Sequence, residues 1–195
     1  MIRLLLIGPP GAGKGTQAAL LAQHFGIPAI STGDIFRENV RNETELGLKA
    51  KSFMDRGEYV PDSLTNDLVR DRLSQDDAAA GFLLDGYPRT IDQVNELDDM
   101  LSEQKTQLDV VVQLTADIDE LVRRLAKRAQ DQGRTDDTPD VIRRRQEVYE
   151  EQTAPLIDVY VSRSLVAKIN GLGEISDVTG RIIEALEARG LTPDA

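Results

Sequence analysis

The chain has 195 residues, of which 40% are hydrophobic and 29% are charged, proportions typical of a globular protein with one compact domain. It contains no cysteine, which excludes disulfide bonds and cysteine-ligated zinc or iron–sulfur centres. The 34 acidic residues outnumber the 23 Lys and Arg, and the net charge of −11 argues against sequence-independent binding to nucleic acid or to an anionic membrane.

Five short apolar runs recur along the chain, at residues 2–7, 28–30, 82–85, 109–114 and 165–169. Each run is continuous rather than alternating, which is typical of strands buried on both faces of a parallel sheet. All are far shorter than the roughly 18 apolar residues of a membrane span, and the first is too short for a signal peptide, so we expect a cytoplasmic protein.

Helical patterns lie between these runs and give the predicted order of elements. Gly26 ends the first helix, Thr90 begins a later one, and Pro155 interrupts a long pattern near the C-terminal end. The apolar stripes of two helices are predicted to include Ile91 and Val122. Strands that alternate with helices predict an α/β fold with a doubly wound, five-stranded parallel sheet and helices on both faces.

The first apolar run leads into GPPGAGKGT, which nearly fits the phosphate-binding pattern G-x-x-x-x-G-K-[ST] through Gly8, Gly13 and Lys14. Gly15 stands where the pattern has Ser or Thr, and Thr16 follows one position later. A glycine loop between a strand and a helix presents backbone N–H groups and the positive helix end to an anion. The alternative is a glycine-rich turn with a surface lysine. We predict a fold of the P-loop NTPase type, in which the glycine after the lysine lets the helix start approach the phosphates.

The next candidate motif is DGYPR, which begins with Asp85 at the end of the third apolar run. A carboxylate at that edge of the sheet suits a magnesium site, directly or through water. Because the glycine loop lacks the usual hydroxyl ligand, we expect the ion to be held by nucleotide oxygens and by waters that Asp85 orders. Arg89 follows a Gly-Tyr-Pro turn that would hold it stiffly. The alternative is a helix-capping turn with a surface arginine.

Several arginines near predicted loops indicate a polyphosphate clamp, although a solvated helix face is the alternative for each one. The candidates are Arg37, Arg124, Arg128, Arg134 and Arg145. Arg123 and Arg143 are predicted to lie on the surface. His24 is the one histidine and no cysteine nucleophile exists. Arginines without an evident base favour transfer between two phosphates over transfer to an alcohol, since a nucleotide phosphate is mostly deprotonated at neutral pH.

The motifs GPPGAGKGT, STGDIFR, GEYVP, FLLDGYPRT-IDQ, GRTDD and TAPLI follow one another in this order and together resemble the adenylate kinase family over essentially the whole chain. The resemblance implies reversible, magnesium-dependent transfer of the γ-phosphoryl group of ATP to AMP, giving two ADP, a role in adenine nucleotide homeostasis, and a monomer. It implies a core domain at 1–30, 61–127 and 139–195, an NMP-binding region at 31–60 and a short lid at 128–138. The absence of cysteine excludes the zinc site that some long-lid members carry.

The resemblance also assigns roles to individual residues. The implied ATP-binding residues are Gly11, Ala12, Gly13, Lys14, Gly15, Thr16, Arg124, Arg128 and Gly173. The implied AMP-binding residues are Thr32, Arg37, Glu58, Tyr59, Val60, Gly86, Tyr87, Pro88, Arg89, Gln93, Arg134 and Arg145. The implied catalytic residues are Lys14, Asp85, Arg89, Arg128, Arg134 and Arg145.

Some of these roles are more specific. Gln93 would read the adenine edge of AMP, Arg124 would lie over the adenine of ATP, and Gly173 would offer a backbone carbonyl near it. Asp136 and Asp137 would anchor closure of the lid.

Three other functions remain as alternatives. UMP/CMP kinases of the same fold typically carry Ala and Asn where this chain has Thr32 and Gln93, so these two residues favour adenine. A switch GTPase would be expected to show an N-K-x-D motif, which the sequence lacks. A nucleotide sensor without activity would have no need for every phosphate clamp.

Overall fold

The computed structural model describes residues 1–134 and 137–193. Within these ranges five strands form one parallel sheet with the order β2-β3-β1-β4-β5. The strands are β1 (Arg3–Ile7), β2 (Ala29–Ser31), β3 (Phe82–Asp85), β4 (Val110–Thr115) and β5 (Val166–Asn170). Each of the five predicted apolar runs therefore supplies one strand, and the predicted α/β fold with a five-stranded parallel sheet is confirmed.

Helices connect and cover the strands. They are α1 (Lys14–Phe25), α2 (Thr32–Arg41), α3 (Glu45–Asp55), α4 (Asp62–Leu73), α5 (Ile91–Glu103), α6 (Ile118–Gln132), α7 (Pro139–Val148), α8 (Leu156–Ser162) and α9 (Ile175–Glu187). A 3-10 turn at Asp76–Ala78 and a π turn at Tyr149–Thr153 complete the described elements. None of the described helices is long and apolar enough to cross a membrane.

Three predicted helix boundaries have identifiable local causes. Gly26 adopts a φ of 65° and its N–H donates to Ala22 O, which closes α1. The Thr90 side chain accepts a hydrogen bond from the Gln93 N–H and so begins α5. The long pattern breaks as predicted, because α7 runs into the π turn and Pro155 begins α8.

Two apolar clusters lie on opposite faces of the sheet. One packs α1, α6 and α9 against it through residues such as Leu21, Leu121 and Ile182. The other packs α4, α5 and α8 through residues such as Leu97 and Tyr160. The central strand β1 is covered on both sides, which accounts for its continuous apolar sequence.

Burial differs from the prediction at the sheet edges and on two helices. Ala29 of the edge strand β2 and Lys168 and Asn170 of the edge strand β5 are exposed, so burial on both faces is wrong for these two strands. The side chains of Ile91 and Val122 are each 49% exposed, so including them in the buried stripes was also wrong. Ile91 stands at the start of α5, and Val122 points away from the neighbouring Leu121, which is buried.

The carboxyl ends of the strands meet at one edge of the sheet. Leu6 of β1 pairs in register with Asp85 of β3, and Ile7 pairs with Gln113 of β4. The strand order reverses at β1, since β3 lies on one side of it and β4 on the other. This is where open α/β sheets form a crevice for ligands. Next to it, α2 and α3 share a small apolar cluster of their own around Phe36 and Ala50.

Candidate active site

The loop between β1 and α1 forms the floor of the crevice. Gly11 and Gly13 have φ angles of 87° and 91°, which favour glycine. A Cβ atom on Gly11 would lie 2.9 Å from Cγ of Leu125, so the loop packs directly against α6. No side chain caps the first turn of α1, so the helix start can offer its backbone N–H groups to an anion.

Gly15 occupies the position at which the sequence departs from the P-loop pattern. A Cβ atom added there would meet no protein atom within 4 Å, because the position opens onto the crevice. Thr16 lines the same crevice. The glycine therefore leaves free space beside the glycine loop.

Lys14 is the first residue of α1, and its side chain turns back onto the glycine loop. Its ammonium group donates to Gly8 O at 2.8 Å and to Pro9 O at 3.1 Å. Burial lowers its pKa from the ordinary 10.5 to about 8; the charge of Asp85 opposes this shift, and the charges of nearby arginines, Arg89 foremost, add to it. The site thus holds a cation whose charged form an incoming anion would stabilise.

Asp85 ends β3 and lines the crevice, with 8% of its surface exposed. Burial raises the pKa of its carboxyl group, and the charges of Lys14 and Arg89 act in the opposite direction. Within residues 1–134 and 137–193 no cluster of three acidic or histidine side chains could hold a metal ion alone. One buried carboxylate facing the crevice fits a magnesium ion bound mainly by nucleotide oxygens and water, since Mg²⁺ prefers such oxygen ligands.

The crevice consists of two adjoining cavities. The first contains all of the predicted AMP-binding residues except Arg134, namely Thr32, Arg37, Glu58, Tyr59, Val60, Gly86, Tyr87, Pro88, Arg89, Gln93 and Arg145. The second contains all of the predicted ATP-binding residues, namely Gly11, Ala12, Gly13, Lys14, Gly15, Thr16, Arg124, Arg128 and Gly173. Arg134 and Asp85 line this second cavity.

Four cations line both cavities and mark where the two meet. They are Lys14, Arg37, Arg89 and Arg145. In a chain with a net charge of −11, this is a strong local concentration of positive charge. The geometry suits two phosphate groups that approach each other from opposite sides.

Gln93 is buried in the first cavity, with 1% of its surface exposed. Its Oε1 accepts a hydrogen bond from the Arg89 N–H at 2.7 Å, and its Nε2 donates to Asp62 Oδ1 at 2.8 Å. An amide carries two donor hydrogens and two acceptor lone pairs, so one of each remains for a ligand. The side chain is therefore oriented before any ligand binds.

Arg128 and Arg145 both bind the carboxylate of Asp137. Arg128 donates through Nε and Nη2, each at 2.7 Å, and Arg145 donates through Nη1 at 2.7 Å. The Asp137 side chain is completely buried. Burial alone would raise the pKa of this carboxyl group, but the hydrogen bonds and charges of the arginines outweigh it and hold the pKa below its ordinary value. Asp136, the other predicted lid anchor, lies outside the described residues.

Two further predicted arginines lie at the rim of the crevice. Arg37 donates to Asp34 Oδ1 at 2.5 Å. Arg134 donates to Gln132 Oε1 at 3.0 Å, and its Nη2 lies 4.0 Å from Asp34 Oδ1. Both are thus close to the acidic side chain of Asp34.

Arg124 is held at the other end of the second cavity. Its Nε donates to Glu120 Oε1 at 2.9 Å, and its Nη2 donates to Gly171 O at 3.0 Å. Gly173 lies nearby with a φ of 105°. Arg123 and Arg143, which the sequence places on the surface, have side chains 75% and 73% exposed.

Sequence reasoning missed the residues that hold the predicted ones in place. Glu120 could have been found, because it stands four positions before Arg124 on the same helix. Asp62 and Thr153, which bind Gln93 and Arg89, come from distant parts of the chain and give no local signal.

Comparison of the sequence with known proteins identifies relatives of this chain. Residues 6–165 match the family described as adenylate kinase. A curated adenylate kinase from Kocuria rhizophila is 62% identical over 187 residues, which cover 96% of this chain and 100% of that protein. One from a Nocardioides species is 61% identical over 186 residues, covering 95% and 97%, and one from Clavibacter michiganensis is 55% identical over 195 residues, covering 100% and 98%.

Proposed function

The chain belongs to the adenylate kinase family and is an ATP:AMP phosphotransferase; on that premise we propose that it transfers the γ-phosphoryl group of ATP directly and reversibly to AMP, giving two ADP. The observation that carries this proposal is the meeting of two cavities at Lys14, Arg37, Arg89 and Arg145. One cavity would bind AMP and the other ATP, so that the phosphates face each other across the four cations.

The assignment of the two cavities follows from their linings. The glycine loop and the start of α1 suit the polyphosphate of ATP, with Arg124 against its adenine and the Gly173 backbone beside it. The first cavity offers an apolar slot and the oriented amide of Gln93 for the adenine of AMP. Arg89 would then bind the phosphate of AMP.

The transfer needs no general base in this arrangement. The second pKa of a nucleotide phosphate is about 6, so the AMP phosphate is mostly a dianion at neutral pH. One of its oxygens attacks the γ-phosphorus, and the bond from that phosphorus to the β,γ-bridging oxygen breaks. Lys14, Arg128, Arg134 and Arg145 would offset the charge on the transferring group and on the ADP that leaves.

Magnesium would enter with ATP. When bound, the ion would neutralise phosphate charge, and Asp85 is the residue that would hold it through water. The charge of Lys14 acts on the buried carboxyl group of Asp85 and opposes the rise in its pKa that burial causes.

We divide the chain into a core at 1–30, 61–127 and 139–195, an NMP-binding region at 31–60 and a short lid at 128–138. Both of the smaller regions border the crevice through residues such as Arg37 and Arg128. Their closure over the substrates would exclude water, which would otherwise accept the phosphoryl group. We place the enzyme in the cytoplasm, as a monomer that balances adenine nucleotides.

The test is a comparison of phosphoryl acceptors. Initial rates are measured with ATP and magnesium plus AMP, CMP, UMP or no acceptor, for the wild type and for Gln93→Ala. We expect AMP to be preferred in the wild type and ATP to be stable without an acceptor. In Gln93→Ala the KM for AMP should rise by about tenfold or more, because a buried hydrogen-bonding amide is lost, while the KM for ATP changes little.

Two results would contradict the proposal. Equal or faster rates with CMP or UMP would favour the pyrimidine alternative, and steady ATP hydrolysis without an acceptor would favour an ATPase. An unchanged KM for AMP in Gln93→Ala would remove that residue from adenine recognition. Gln104→Ala, at the other end of α5, serves as the matched control and should leave both KM values unchanged.

A further inference from the structure

The guanidinium group of Arg89 lies between an aromatic ring and a glycine. Its Cζ atom stands 5.0 Å from the centroid of the Tyr59 ring, within the range of a cation–π interaction. On another side it lies against Gly86, where an added Cβ atom would come within 2.8 Å of Arg89 Nη2. A larger residue at Gly86 would therefore force the guanidinium group to move.

The hydroxyl of Tyr59 is linked to the backbone of Arg89 by two hydrogen bonds through the hydroxyl of Thr153. Thr153 Oγ1 donates to Arg89 O at 2.8 Å, and the Tyr59 and Thr153 hydroxyls lie 2.6 Å apart. A hydroxyl has one hydrogen to donate, so the Tyr59 O–H must donate to Thr153. The Thr153 residue is 4% exposed, which protects this relay from water.

These contacts join three distant segments of the chain. Tyr59 belongs to the region after α3, Arg89 follows β3, and Thr153 ends the π turn before α8. Gln93 adds a fourth constraint through its bond to the Arg89 N–H. Arg89 is thus fixed at its N–H, its carbonyl oxygen and its side chain, and Tyr59 contributes to the last two of these constraints.

A long arginine side chain loses conformational freedom when it binds a phosphate, and a side chain already held in place loses less. The face of the Tyr59 ring holds the guanidinium group of Arg89 without using the N–H donors in the plane of that group. These donors remain for a phosphate.

We propose that Tyr59 is a positioning residue for the phosphate of AMP: its ring and hydroxyl hold Arg89 where the two cavities meet, rather than contacting the adenine. This inference rests on the proposed function of the first cavity, and it refines the role implied for Tyr59 by family resemblance. Removing the ring should weaken the binding of the phosphate and leave the binding of the nucleoside unchanged.

The experiment measures binding by calorimetry, so turnover is not required. AMP is titrated directly, and adenosine, which lacks the phosphate, is measured by its displacement of AMP. In Tyr59→Leu we expect the Kd of AMP to rise by about fivefold to tenfold, as the loss of one cation–π contact and its relay would cause. Tyr59→Phe keeps the ring and should recover most of this loss. The Kd of adenosine should stay unchanged in both variants.

Tyr160→Phe is the matched control for loss of a hydroxyl. Tyr160 is fully buried away from the crevice, and within the described structure its hydroxyl has no hydrogen-bond partner. Its variant should bind AMP and adenosine as the wild type does. If Tyr59→Leu weakens adenosine by the same factor as AMP, Tyr59 contacts the nucleoside and the inference is wrong.

An unchanged Kd of AMP in Tyr59→Leu would overturn the inference equally. A failure of the proposed function looks different, since the wild type itself would then prefer another acceptor or bind no AMP. A thermal unfolding curve for each variant shows whether it folds. Should Tyr59→Leu not fold, Thr153→Val breaks the same relay, and its Kd for AMP, but not for adenosine, should rise by about twofold to fivefold.

Discussion

At the scale of single residues, Lys14 shows how the site is prepared for an anion. Its ammonium group rests on two backbone carbonyls in the loop, and burial lowers its pKa to about 8. Neutral carbonyls compensate part of the cost of burying the charge, and a phosphate would compensate more of it. The charged lysine is therefore most stable when the site is filled.

This arrangement predicts a pH dependence in the free enzyme. The value of kcat/KM for ATP should fall above pH about 8, approaching a tenfold loss per pH unit, because the neutral amine no longer attracts phosphate. At saturating ATP the fall in kcat should occur at higher pH, since bound phosphate raises the pKa of the lysine. Initial rates between neutral and alkaline pH provide the measurement.

The titration of Lys14 does not itself destabilise the fold in this pH range. The folded pKa lies below the ordinary 10.5, so between about 8 and 10.5 the unfolded chain binds more protons than the folded one. The contribution of Lys14 to folding stability therefore increases with pH in this window. A pH profile of kcat/KM that stays flat to pH 10 would contradict the shifted pKa.

At the scale of elements, α6 and α7 are joined through one buried carboxylate. Asp137 precedes α7 and accepts hydrogen bonds from Arg128 of α6 and from Arg145 of α7. Both arginines are also candidates for binding phosphate. The carboxylate thus keeps two cations in place at the crevice and lowers the cost of bringing them together.

Replacement of Asp137 by Asn tests this role through stability. The free energy of unfolding at neutral pH should fall by about 3 kcal/mol, because two partly buried arginines lose the charged partner that they share. The folded pKa of Asp137 lies below 3.8, so its stabilisation is complete above that value and is lost as the pH falls through the folded pKa. The difference between wild type and variant should therefore shrink in acid.

The control is Asp140→Asn in the first turn of α7. The Asp140 side chain is 94% exposed and lies 3.7 Å from Arg143, so its removal should change stability by less than about 0.5 kcal/mol. Denaturant unfolding of both variants across this pH range provides the comparison. Equal effects of the two substitutions would mean that Asp137 is no more than another surface charge.

The elements themselves could largely be predicted from the sequence. Continuous apolar runs marked every strand of the described sheet, and Gly26, Thr90 and Pro155 marked helix ends, because these signals are local. Burial at β5, Ile91 and Val122 could not be predicted in the same way. Burial depends on which neighbours cover a residue, and an edge strand lacks one of them.

At the scale of the whole molecule, the site is assembled from every part of the chain. The glycine loop follows β1, Asp85 ends β3, and the arginines come from α2, α6 and α7 as well as from the turn after β3. Sequence motifs identified residues that line the two cavities, because the residue types and spacing of those motifs are visible in the sequence. The residues that orient them, such as Thr153 at 64 positions from Arg89, become visible when the fold brings them together.

The central claim is direct transfer between two nucleotides held in adjoining cavities. It is tested most directly by a single turnover with ATP labelled in its γ-phosphate, mixed with AMP and magnesium. We predict that the label appears in the β-phosphate of the ADP formed from AMP, with one unlabelled ADP from ATP for each labelled one. Lys14→Ala should slow this step by about a hundredfold or more while the protein remains folded. Label released as inorganic phosphate, or a near-normal rate in Lys14→Ala, would contradict the account.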